Sequence, residues 1–224
     1  MLERSKLEAL IFDGEGVVID TEPLWDEAQR RLLERRGIQY DRARVKHLLA
    51  GKSAAEGVAI LQREFQIKGD SAALAAEREA EVRALMAKNV RLVPGFEDFF
   101  ERIRGRYKTC IATSMTRDLI ALADVRLHLS TLFGDRIFSI ADVGNRSKPD
   151  PALFLYAAKK LGAPPSRCVV IEDSPNGIEA ASRANMYCVG LATTFPGEVL
   201  TGANEIAFSF EDLWRLLAPV EAVA

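Results

Sequence analysis

The sequence predicts an α/β fold: a Rossmann-like, doubly wound parallel sheet with a small helical domain inserted into it. Three observations lead there. Short, strongly apolar runs rich in β-branched residues recur along the chain. Helix patterns with recognisable start and stop residues separate most of them. One long stretch, between the first run and residue 94, carries helix patterns and no strand.

The runs are EALIFD (8–13), KTCIATS (108–114), RIFSIAD (136–142), RCVVIED (167–173) and YCVGLAT (187–193), with EIAFS (205–209) as a weaker sixth. Runs this apolar suit strands covered on both faces. After the first of them, EPLWDEAQRRLLERRG places Leu24, Trp25, Ala28, Leu32 and Leu33 on one stripe and stops at Gly37. DRARVKHLLAG follows with Asp41 as its cap, and SAAEGVAILQREF opens with Ser53 and Glu56 at capping-box spacing. DSAALAAEREAEVRALMAKN reads as a long alanine-rich helix. Four helices in succession exceed what a strand-to-strand crossover needs. They predict a helical domain over 19–92, with the α/β core formed by 1–18 and 93–224.

The core helices then alternate with the strands. PGFEDFFERIRG carries Phe96, Phe99, Phe100 and Ile103 on one face. PDPALFLYAAKKLG has Asp150 as N-cap, Pro151 at the first helical position and Gly162 just past the end. SPNGIEAASRA repeats the scheme with Ser174 and Pro175. Strand and helix in repeated alternation predict a parallel sheet with helices on both faces.

Composition narrows the function class. The chain has 224 residues, 48% of them apolar and 28% charged, with a formal net charge of −2. That balance fits a globular protein and gives no global attraction to nucleic acid or anionic lipid. No apolar run approaches a membrane span, and MLERSKLEALIF has too short an apolar stretch for a signal peptide. Cys110, Cys168 and Cys188 sit in strand-like runs, as buried free thiols would in a reducing cytoplasm. With only two histidines, His47 and His128, a histidine-rich zinc site is not expected. GKS at 51–53 resembles the end of a phosphate-binding P-loop, but the required glycine is Lys46 and no strand precedes it.

In an open parallel sheet, ligands gather beyond the carboxyl ends of the strands. Here those ends are polar again and again: Asp13 after the first, Thr113 and Ser114 after the second, Lys148 in the loop after the third, Glu172 and Asp173 after the fourth. Asp13 and Asp173 can hold a hard cation such as Mg²⁺, while Lys148 and the hydroxyls suit a phosphoryl group. An aspartate or serine after a strand is often only a helix cap. The combination on successive strands is what points to phosphoryl transfer.

The chain resembles the haloacid dehalogenase superfamily hydrolases with a helical cap of the first type. FDGEGVVIDTEP is similar to the family's first motif, IATSMTR to the second, SKPDPALF to the third and VVIEDSPNGIEAA to the fourth, in order from about residue 8 to 215. The resemblance implies Asp13 as the nucleophile that forms an aspartyl-phosphate. It implies Mg²⁺ held by Asp13, Asp173 and the main-chain carbonyl of Glu15, with Glu172 acting through metal-bound water. Thr113 and Lys148 would grip the phosphoryl group, with Ser114 beside them. Residue 15 would protonate the leaving oxygen and then activate water.

Here the sequence departs from the pattern, because Glu15 stands where family phosphatases carry aspartate. Free Glu and Asp differ by only about 0.4 pKa units, so acidity is preserved. The extra methylene moves the carboxyl group by about an ångström, and misplacement on that scale can cost about a hundredfold in rate. The cap loop 48–57 offers Lys52 and Ser53 to a substrate, and Trp25 either stacks on a sugar or packs within the cap. DTEPLWDEA is closer to small-sugar phosphatases, including 2-deoxyglucose-6-phosphatase-like enzymes. Phosphoglucomutases of the same fold usually have a cap histidine where this chain has Trp25 and an arginine where it has Ala54. The expectation is therefore a Mg²⁺-dependent phosphatase of a small phosphorylated metabolite, probed best with sugar phosphates. Such a protein would be cytoplasmic, a monomer or weak homo-oligomer, without nucleic acid or membrane partners. The alternative is a weakened or inactive phosphometabolite-binding relative, with a phosphosugar mutase behind it.

Overall fold

The computed structural model describes residues 4–49 and 54–218. The chain divides into two compact units, one comprising Met1–Asp20 and Arg91–Ala224 and the other Thr21–Val90. Among the described residues no helix is long and apolar enough to cross a membrane.

The larger unit is built on six strands: β1 (Ala9–Phe12), β2 (Lys108–Thr113), β3 (Ile137–Ser139), β4 (Cys168–Glu172), β5 (Tyr187–Leu191) and β6 (Glu205–Ala207). Their order is β3-β2-β1-β4-β5-β6 and every neighbouring pair is parallel. The order reverses direction at β1, so the crevice between the flanking connections opens beyond β1 and β4. The expected third strand, 136–142, is shorter than its apolar run. Ser139 and Asp142 form a capping box that turns Ile140–Val143 into a 3-10 turn.

The smaller unit holds α1 (Glu22–Glu34), α2 (Arg42–Leu49), α3 (Ala54–Phe65) and α4 (Ser71–Asn89); the larger adds α5 (Phe96–Ile103), α6 (Arg117–Leu127), α7 (Leu129–Phe133), α8 (Ala152–Leu161), α9 (Pro175–Arg183) and α10 (Phe210–Leu217). Helix α1 buries Leu24, Ala28, Leu32 and Leu33 as its stripe requires, whereas Trp25 is only half-buried. Leu32 and Leu33 meet Val45, Val58, Leu61 and Leu74 from the other three helices in the unit's own core. Asp70 caps α4 by accepting from the Ala73 N–H at 2.9 Å. Asp41 caps α2 through the Arg44 N–H at 3.0 Å. Ser53, the expected cap of α3, lies outside the described residues.

Both faces of the sheet are covered, as the apolar strands require. On one face Ala9 and Ile11 pack with Leu153, Phe154 and Ala157 of α8. On the other, Phe12 meets Phe96, Phe99 and Phe133 in edge-on contacts 5.8–6.2 Å between ring centres. The start of α8 differs by one residue from the expectation. Pro151 occupies the N-cap position, and Asp150 precedes it with its carboxylate accepting the Ala152 N–H at 2.8 Å. Proline has no N–H to lose at a helix start, so either placement satisfies the backbone.

Candidate active site

Strand β1 runs directly into the site. The Asp13 N–H continues the sheet by donating to the Ile171 carbonyl at 3.0 Å. The chain then folds into a tight turn in which the N–H groups of Val18 and Ile19 both donate to the Gly14 carbonyl, at 3.1 and 2.7 Å. Two glycines make this turn possible. A methyl group on Gly14 would lie 2.6 Å from Thr113 Oγ1. One on Gly16, whose φ is +74°, would lie 1.9 Å from Asp173 Oδ2. Both positions therefore admit the main chain of the turn against functional side chains.

Asp13, Glu172 and Asp173 are all buried, and their carboxylates converge within 4.8 Å. Lys148 Nζ joins them, 2.5 Å from Asp13 Oδ1 and 2.5 Å from Glu172 Oε1, with the Phe154 ring centre 5.0 Å away. Glu172 is the most tightly held of the set. Its Oε2 accepts from the Asp173 N–H, the Ser174 N–H and the Ser174 hydroxyl, each at 2.9 Å. These donors belong to the N-terminus of α9, where a helix favours negative charge. Gly177 keeps that end open, since a methyl group there would sit 1.8 Å from Glu172 Oε1.

The electrostatics follow from burial. Burial pushes the Asp13 carboxyl up to about 7, against the pull of Lys148 and with the help of the Glu172 charge. Burial, then Glu172 and Asp13, likewise hold Asp173 well above the ordinary carboxylate range. For Lys148 burial works against the charged form, but Asp13 and Glu172 outweigh it and raise the ammonium above its usual value. Three carboxylates thus face one ammonium, and two of them resist ionising in the protein alone. A buried oxygen-rich pocket in which carboxylates outnumber the ammonium fits a hard divalent cation.

Of the residues singled out in the sequence, Asp13, Lys148, Glu172 and Asp173 come together at the carboxyl ends of β1 and β4. Thr113 is buried at the end of β2, its Oγ1 accepting the Met115 N–H at 3.1 Å. Glu15 is half-buried on the turn after Asp13, and its carboxylate is not part of the three-carboxylate group. Ser114 follows Thr113 and is exposed. Trp25 belongs to the helical unit, with the Arg78 guanidinium 4.7 Å from its ring centre. Lys52 and Ser53 lie outside the described residues.

Sequence reasoning missed the loop after β5. Thr193 Oγ1 donates to the Gly16 carbonyl at 2.5 Å, and the Thr194 hydroxyl lies beside the Asp173 carboxylate, where it favours the ionised form. The same strand-end logic that picked out Thr113 applies to Thr193 and Thr194, which directly follow the apolar run of β5. Only the fold reveals that this loop reaches back to the turn after β1.

Comparison with known proteins places this geometry in context. The model of the haloacid dehalogenase-like hydrolases matches residues 7–185. A phosphorylated carbohydrates phosphatase of Thermotoga maritima is 32% identical, over 80% of this chain and 82% of its own. A fructose-1-phosphate phosphatase of Escherichia coli is 33% identical, over 80% of this chain and 94% of its own. Among solved structures, a hydrolase of the haloacid dehalogenase family from Deinococcus radiodurans, crystallised with phosphate and sodium, superposes with a TM-score of 0.81 at 26% identity. It covers 95% of this chain and 96% of its own.

Proposed function

The chain belongs to the haloacid dehalogenase-like hydrolases, and on that premise we propose that it is a Mg²⁺-dependent phosphatase of a small phosphorylated metabolite, a sugar phosphate above all. The observation that carries this reading is the buried convergence of Asp13, Glu172 and Asp173 on Lys148 at the strand ends. The sugar-phosphate phosphatases among its relatives support the substrate class.

In this reading an Asp13 carboxylate oxygen attacks phosphorus and the bond from phosphorus to the leaving oxygen breaks. Glu15 gives a proton to that oxygen. Water then attacks the phosphoryl group on Asp13, Glu15 takes its proton, and inorganic phosphate leaves with Asp13 restored. Lys148 and Thr113 orient the phosphoryl oxygens, with Ser114 at the exposed rim. Asp13, Asp173 and the Glu15 main-chain carbonyl would hold the cation, with Glu172 fixing Lys148 and the start of α9. When bound, Mg²⁺ would neutralise phosphate charge and favour the ionised carboxylates.

Residues 21–90 serve as the cap that selects the substrate, with Lys52, Ser53 and Trp25 as its contributions. We place the protein in the cytoplasm as a monomer or weak homo-oligomer, acting without nucleic acid or membrane. The near-neutral charge and three buried free thiols support that placement.

Phosphate release from a panel of phosphorylated metabolites, with and without Mg²⁺, is the test. Turnover that needs Mg²⁺ and vanishes in Asp13→Asn is expected; no turnover on any member with the cation bound would sink the catalytic reading. Glu15→Asp then separates the two forms of the site. A large gain in rate would mean that glutamate weakens the acid–base step, and a loss would mean that the site is built around it.

A further inference from the structure

The loop after β5 touches this site at two points. Thr193 Oγ1 donates to the main-chain carbonyl of Gly16, one residue beyond Glu15. The Thr194 hydroxyl lies beside the carboxylate of Asp173 across Gly16. The two contacts meet at Gly16: a methyl group there would lie 1.9 Å from Asp173 Oδ2 and 2.4 Å from Thr194 Oγ1. The glycine, the threonine and the carboxylate therefore share one small space, and the bare backbone of residue 16 is what lets them share it.

The loop is itself anchored. The Ala192 N–H donates to the Ala207 carbonyl of β6 at 2.8 Å, and the Thr193 N–H turns back to the Leu191 carbonyl at 2.8 Å. Its hydroxyls are thus presented from the sheet. A carboxylate that ligates a cation through one oxygen is held in register when the rest of the group is hydrogen-bonded. Glu172 has its own set of donors on α9. For Asp173 the hydroxyl alongside is that of Thr194.

Resting on the phosphatase reading above, we propose that Thr193 and Thr194 are positioning residues of the site: Thr194 fixes Asp173 for the cation, and Thr193 fixes the Gly14–Gly16 turn that carries Glu15. The two hydroxyls divide the work. Losing the first loosens the cation, and losing the second misplaces the acid–base group while the cation stays. Removal of an outer partner of a metal ligand costs about 10–100-fold in affinity.

The experiment compares Thr194→Val, Thr194→Ser and Thr193→Val with wild type. Mg²⁺ affinity is measured by calorimetric titration of the full chain, and kcat and KM at saturating Mg²⁺. For Thr194→Val the Mg²⁺ dissociation constant should rise about tenfold or more, with Thr194→Ser restoring it to near wild type. For Thr193→Val, Mg²⁺ affinity should stay within about twofold while kcat falls about tenfold at unchanged KM. Wild-type Mg²⁺ affinity in Thr194→Val overturns the proposal for Thr194, as does equal weakening in the serine variant. Unchanged kcat in Thr193→Val overturns it for Thr193. The calorimetric arm stands apart from turnover: a wild-type protein that binds Mg²⁺ but hydrolyses nothing defeats the phosphatase reading and leaves Thr194 tested. Circular dichroism and melting of each variant identify a folding failure, and the serine variant then decides the role of the Thr194 hydroxyl.

Discussion

Two helical glycines should respond to alanine with opposite signs. Gly177 is the third residue of α9, and a methyl group there would lie 1.8 Å from Glu172 Oε1, 1.9 Å from Cδ and 2.4 Å from Oε2. The whole carboxylate must shift by more than about 1.5 Å to reach ordinary contact at 3.4 Å, and it is fully buried. Overpacking of this kind costs about 1–3 kcal/mol. Weakening even one hydrogen bond to the charged carboxylate adds about 1.5–3 kcal/mol. Better helix propensity returns about 1 kcal/mol. The net loss is about 1.5–5 kcal/mol, a fall in melting temperature of roughly 3–20 °C for a chain of this size. Gly57 in α3 is the control. Among the described residues its added methyl would meet Arg78 Nη1 and Leu49 Cδ2, both at 3.5 Å, which is ordinary contact. Gly57→Ala should therefore stabilise by about 0.4–1 kcal/mol through the unfolded chain. Urea unfolding of both variants beside wild type makes the measurement. If Gly177→Ala is as stable as wild type, or if both variants move in the same direction, the account of Glu172 as a carboxylate wedged against the start of α9 is wrong.

Gly14→Ala should fold but lose most of its phosphatase activity, because its methyl would lie 2.6 Å from Thr113 Oγ1 and displace the hydroxyl we propose binds the phosphoryl group; a kcat near wild type counts against Thr113 in that role. The metal-free protein should lose stability as pH rises. The Asp13 carboxyl is raised from 3.8 to about 7 in the folded chain, so its contribution is full below roughly pH 4 and is lost as pH passes through about 7. Melting of the chelator-treated protein across that range, relative to Asp13→Asn, should show the decline, and a constant difference between the two would contradict it. In the helical unit, Arg35 and Arg36 pair with Glu77 across α1 and α4, and Arg31 and Arg35 with Glu81. Replacing Glu77 and Glu81 by glutamine should cost about 1 kcal/mol or less for each pair lost, with the difference fading at about 1 M salt.

The fold was legible wherever local pattern and tertiary demand agreed. Six apolar runs became six strands, and helices began where Asp41 and Ser174 could cap them. The third strand was over-read, because apolarity alone does not reveal that Ser139 and Asp142 stop it. The acidic and cationic members of the site were legible because each directly follows a strand or lies in the loop after one. What supports them was not. Glu172 depends on Ser174 and on the missing side chain of Gly177, and a glycine's close approach to a distant carboxylate leaves no periodic trace. Thr193 reaches across 177 residues of sequence to the Gly16 carbonyl, a distance that pattern reading does not span.

The two passages between core and insertion run side by side. Ile19 and Leu92 form an antiparallel bridge, Asp20 N–H donates to the Arg91 carbonyl and Val93 N–H to the Val18 carbonyl, each at 3.0 Å, and Arg91 pairs with Asp20 at 2.9 Å. An insertion whose two ends are already neighbours asks little closure entropy of its host. The helical unit is therefore tied to its host through a single short ladder, and a graft made there would leave the pairing of residues 18–20 with 91–93 intact.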